Sequence, residues 1–217
     1  PRPAAPQPAP RAAQPAHSDP AAAPPARKPR VVAKPREPAR TVACTGPFAR
    51  NAAHADLEKS FGAANVTFTE VPGPGASKIN ASVVFPDDPK KRLEVIWHDE
   101  AQRTRPSAIV ITAVSQWSAP SGMRLGLPLT DVEKRNGKPF MLSGFGADYG
   151  GSVSDWQGGK LDQLGGACRM GMRFSEDSGT SAEARARVQG EQVFPSNDPG
   201  IRGVKPRVSE IIIGYPQ

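Results

Sequence analysis

The sequence predicts an α+β body built from two tandem units, each a helix plus an antiparallel β-meander, preceded by a disordered Pro/Ala-rich tail. Three observations predict it: a break in composition near residue 43, a seven-residue match at an offset of 75, and alternating apolar runs after each copy of that match. The 217 residues accordingly divide into a tail, 1–43, a first unit, 44–120, and a second unit, 121–217.

The tail comes first in order. Of its 43 residues, 12 are Pro and 13 are Ala, and none is Gly or aromatic. Such a segment has too little apolar surface to offset the entropy of ordering it. Its prolines favour extended polyproline-type conformers. Eight Lys/Arg stand against Asp19 and Glu37, a net +6, which leaves only +1 of the whole-chain +7 for residues 44–217. The charge suits contact with anionic surfaces. It makes a poor nucleic-acid arm, because the tail has no ring to stack on bases and the body is nearly neutral. Thr41-Val42-Ala43-Cys44 follows a charged segment and not an apolar run, so lipidation at Cys44 is not expected.

The first unit opens at Cys44, and the only other cysteine is Cys168. Cys168, Met170, Met172 and Phe174 alternate with Arg169, Gly171 and Arg173, a period-2 strand that turns Cys168 inward. Two cysteines near the two ends of one body predict a disulfide, and with it an exported protein, periplasmic or secreted. The alternative is two unlinked thiols in a reducing compartment. No run approaches about 18 apolar residues, so no transmembrane helix is expected within these limits.

The helices and strands follow in pairs. Asp56-Leu57-Glu58-Lys59-Ser60-Phe61-Gly62 matches Asp131-Val132-Glu133-Lys134-Arg135-Asn136-Gly137, with five of seven positions identical or both aliphatic. Each copy reads as a short helix closed by Gly in the left-handed conformation, with Asn51 as N-cap of the first and Pro128 in the first turn of the second. After the first copy come apolar strands at 66–71, 79–85, 92–98 and 108–114, with Pro86-Asp87-Asp88-Pro89 as turn chemistry. After the second come 140–142, 152–156, 167–174 and the β-prone 207–215, while 175–200 reads as a loop with a short helix at 181–187. Two such units side by side bury apolar faces that one alone would leave open.

The segment Gly126-Leu127-Pro128-Leu129-Thr130-Asp131-Val132-Glu133, followed by Gly137-Lys138-Pro139, resembles the loop, short helix and strand signature of SmpA/OmlA-type envelope lipoproteins. It is also similar to the tandem modules of β-lactamase inhibitory protein. Asn136 to Phe140, Gly144-Phe145, Asp148-Tyr149-Gly150-Gly151 and Ile212 to Pro216 resemble a group of exported bacterial proteins of unassigned function, over roughly 44–217. The resemblance implies a non-catalytic, protein-binding module and brings no catalytic residues. A lipid-bearing N-terminal Cys of the lipoprotein kind is not expected in this chain.

Motifs for catalysis are missing. There is no Gly-x-Ser-x-Gly elbow, Gly73 to Lys78 lacks the ending of a phosphate loop, and Gly144-Phe145-Gly146 lies between strands. With three His in the chain, no metal site and no cofactor is expected. The richest candidate is Asp148-Tyr149-Gly150-Gly151 through Trp156. Here rings with polar handles flank glycine turns, and Trp117 in Ser115 to Pro120 is able to join them. The expected function is an exported envelope binding module, non-catalytic, that recognises a protein partner or a glycan through Trp156, Tyr149, Asp148 and Trp117. The alternative is an envelope hydrolase using the cluster His98, Asp99 and Glu100.

Overall fold

A computed structural model describes residues 40–216 of the chain. The expectations for residues 1–39 lie outside the described residues. Residues 41–43, assigned above to the tail, belong to the body: Val42 is fully buried and its N–H donates to the Ser118 carbonyl at 2.8 Å.

In chain order the elements are α1 (His54–Phe61), β1 (Val66–Pro72), β2 (Lys78–Val84), β3 (Leu93–Asp99), β4 (Thr104–Ile111), α2 (Leu129–Asn136), β5 (Met141–Ser143), β6 (Val153–Asp155), β7 (Arg169–Ser175), α3 (Ala182–Ala186), β8 (Val193–Pro195), α4 (Pro199–Gly203) and β9 (Arg207–Gly214). The class is α+β, and every pairing between these strands is antiparallel. The two longest helices have eight residues each and begin 75 positions apart. Leu57 and Val132, at equivalent places in them, are both fully buried.

Sequence and structure differ in several places; Pro128 is the N-cap of α2 and not part of its first turn, and 175–200 holds β8 and the start of α4 besides the expected short helix. Asn51 does not cap α1; Ala53 holds that position, and its N–H is satisfied by the Asp56 carboxylate at 2.8 Å. Both closing glycines donate to the carbonyl four residues back, but only Gly137 (φ 84°, ψ −2°) is left-handed helical, because Gly62 (φ 88°, ψ 134°) turns straight toward β1. Last, the strands after α2 form no meander of their own. One six-stranded sheet runs β1-β2-β3-β4-β9-β7, and β5 forms a small separate sheet between β6 and β8.

The reason lies in β9. Ile211 and Ile213 sit opposite Ile111 and Ile109 of β4 on one side and Met172 and Met170 of β7 on the other. All six are buried on one sheet face, so inserting β9 between the two strand sets makes a single apolar surface. That surface continues through Val84, Leu93 and Val95 and meets Leu57, Leu129 and Val132 from the helices in one core. A disulfide joins Cys44 to Cys168, with Cα atoms 6.2 Å apart across 124 positions. The expected inward face of β7 is present, since Cys168, Met170, Met172 and Phe174 are all buried. Among the described residues no helix is long and apolar enough to cross a membrane.

Candidate functional site: a polar groove beside the glycine loop

The loop between β5 and β6 is held close to the sheet, and its glycines explain why. A Cβ on Gly151 (φ 74°) would stand 2.2 Å from the Phe174 carbonyl oxygen, and one on Gly150 would meet the Gly146 nitrogen at 2.9 Å. Without side chains there, the loop lies directly on β7. The Phe174 N–H donates to the Gly151 carbonyl and the Arg173 Nε donates to the Gly150 carbonyl, both at 2.9 Å. From the other side, the Ser143 hydroxyl donates to the Tyr149 carbonyl at 2.7 Å. The backbone is therefore pinned while the Tyr149 side chain stays 68% exposed.

Next to this loop opens a groove of about 590 Å³, within the range of small-molecule pockets. Gly146, Ala147 and Gly150 line it on the loop side. Strand β7 supplies Arg173 and Ser175, β9 supplies Ser209 and Glu210, and Thr112 closes the β4 side. Phe145 and Phe174 contribute apolar floor. Helix α3, capped by the Ser181 hydroxyl accepting from the Ala184 N–H, brings Arg185 back to Glu176. That pair is loose: Nε lies 3.9 Å from Oε2, and the Arg185 Nη2 donates instead to the Ser178 carbonyl at 3.0 Å. Arg185 Nε and Glu176 Oε1 are both buried without a hydrogen-bond partner among the described residues. Orphaned buried atoms of this kind cost roughly 1–3 kcal/mol each.

The four residues expected to form the contact surface are not brought together. Asp148 and Tyr149 lie exposed on the groove-side loop. Trp156 is 6% exposed, with its indole donating to the Met170 carbonyl at 2.8 Å and its ring 5.1 Å from that of Phe140. Trp117 is 2% exposed, with its indole donating to the Lys91 carbonyl at 2.7 Å and edge-on contacts to Phe48 and Phe61. The expected exposure of these two rings is corrected by their packing: each has a backbone carbonyl to accept its N–H and an aromatic cluster to fill. A smaller recess of about 210 Å³ passes Trp156, Asp155, Asp162 and Arg169.

The hydrolase cluster is likewise dispersed into structural bonds. The His98 Nε2 donates to the Tyr215 carbonyl at 2.8 Å, Asp99 accepts from the Gln102 N–H at 2.9 Å, and Glu100 accepts from Asn80 at 2.6 Å. A different trio has the order of a nucleophile relay. Ser82 Oγ is 2.7 Å from His54 Nδ1, and His54 Nε2 is 3.3 Å from Glu58. Ser82 is fully buried, however, and its oxygen accepts the Trp97 indole N–H at 2.8 Å, so no substrate carbonyl reaches it. The relay ties α1 to β2 and β3. Among the described residues no group of three or more His, Cys, Asp or Glu gathers to hold a metal.

Sequence reasoning missed Arg173, Glu176, Arg185 and Glu210. Arg173 and Glu210 were legible as outward positions of their strands, but the pairing that sets them opposite one another depends on β9 crossing to β7. Comparison of the chain with family models, with curated proteins and with solved structures gives no match in any of the three.

Proposed function

We propose that the chain is a non-catalytic binding module of an exported, periplasmic or secreted protein. It recognises a partner from the cell envelope, protein or glycan, through the Asp148-Tyr149 loop and the groove beside it. The observation that carries this reading is the contrast at that loop, a backbone hydrogen-bonded to β7 and β5 beneath a tyrosine ring left 68% exposed. A rigid aromatic anchor loses little entropy on contact, which is what recognition surfaces exploit. The Cys44–Cys168 disulfide supports an oxidising compartment. Equal helices 75 residues apart, each beside a tryptophan-centred aromatic cluster, support a tandem origin for the two helix regions. The resemblance of 126–139 to envelope-protein modules points the same way.

The test is a pull-down from envelope extract with the full chain and its Tyr149→Ala variant. Loss of the captured material in the variant is expected; identical capture by both would reject this surface.

A further inference from the structure

The groove's chemistry narrows its ligand, an inference that rests on the binding reading above. Two guanidinium and two carboxylate side chains line it, Arg173 and Arg185 with Glu176 and Glu210, so no net charge selects an anion or a cation. Arg173 and Glu210 are register partners across β7 and β9, yet they form no ion pair. The Arg173 Nε is committed to the Gly150 carbonyl, and its terminal nitrogens make no hydrogen bond among the described residues. Donors and acceptors are thus interleaved around a concave space, with the hydroxyls of Ser175, Ser209 and Thr112 between them.

A protein interface needs something else. Its core is an apolar patch of aromatic and aliphatic side chains, over some 800 Å² per partner. The large apolar side chains exposed among the described residues are only Val114, Tyr149 and Val193. A hydroxyl both donates and accepts, so neighbouring hydroxyls of one ring can meet a carboxylate and a guanidinium at once. The C–H face of an adjoining sugar ring suits the exposed phenol of Tyr149, which does not itself line the groove but follows groove-lining Ala147 and precedes groove-lining Gly150 in the loop. We infer that the groove binds a hexopyranose oligosaccharide, with one sugar's hydroxyls on Arg173 and Glu210 and a neighbouring ring against Tyr149.

The experiment titrates the full, disulfide-bonded chain with tri-N-acetylchitotriose and with maltotriose by calorimetry. The same titrations use Tyr149→Ala and Glu210→Gln, both at accessible positions and checked for folding by tryptophan fluorescence. Saturable 1:1 binding of at least one trisaccharide is expected, weakened about tenfold in each variant. No binding of either sugar up to about 10 mM overturns the inference, as does binding that neither variant changes. If the sugars fail while envelope capture still depends on Tyr149, the glycan assignment alone falls; if capture is also independent of Tyr149, the binding reading falls with it.

Discussion

Tyr215 shows how one side chain joins the ends of the body. Its hydroxyl donates to the Phe48 carbonyl, its N–H to the Ser107 carbonyl at 3.0 Å, and its own carbonyl accepts from His98. Burial raises the phenol's pKa above its ordinary 10.0, since the phenolate is the form that loses hydration. A native-state pKa above the unfolded one means that this contribution is fully present below pH about 10 and is lost as the pH rises through the native value. Melting temperature measured from pH 8 to 11 is expected to fall more steeply for the natural chain than for Tyr215→Phe; parallel curves would contradict the assignment. At this scale the sequence was partly legible. The inward run of Cys168, Met170, Met172 and Phe174 followed from period 2 alone. The fates of Trp117 and Trp156 did not, because an indole beside Ser and Gly looks exposed until the carbonyl that accepts its N–H is known.

Among the elements, α2 and the turn after β6 are locked by one amide. Asn136, at the last helical position, donates through Nδ2 to the carbonyls of Lys138 and Trp156 and accepts from the Leu161 N–H at 3.2 Å. It is 1% exposed, and Gly159 lies so close that a Cβ there would fall 2.1 Å from its Oδ1. Asn136→Ala leaves buried backbone groups unpaired and is expected to destabilise the fold by about 1–3 kcal/mol. Gly159→Ala should do comparable damage by expelling the same side chain, and chemical denaturation measures both. If the losses of the double variant simply add, the two residues do not act on one contact. The helix positions and most strand centres were readable from periodicity. The Asn136 role was not, since it depends on a turn 20 residues away; neither was the small β6-β5-β8 sheet, whose three-residue strands are too short to show a pattern.

The body, residues 40–216, joins a six-stranded sheet and a small three-stranded one over one apolar core that Leu57 of α1 and Leu129 and Val132 of α2 enter, and the Cys44–Cys168 bond closes it. In the chain-entropy account a cross-link over 124 positions contributes about 4–5 kcal/mol, a large share of an ordinary domain's stability. Gly166 makes room for it, as a Cβ there would lie 2.6 Å from the Cys44 carbonyl oxygen. Two cysteines and one alternating strand were enough to read this staple from the sequence. The groove was not readable, because β7, β9, α3 and the β5–β6 loop meet only once the sheet is assembled. That assembly gives the Tyr149 loop its rigid support and sets charged groups of both signs beside it. The most direct measurement places a photo-reactive residue at that loop, Tyr149→p-benzoylphenylalanine, and a control on exposed α1, Lys59→p-benzoylphenylalanine, in the full chain exposed to envelope extract. A discrete adduct at position 149 and none at 59 is the expected result. Equal labelling at both positions, or none at 149, would contradict recognition through this loop.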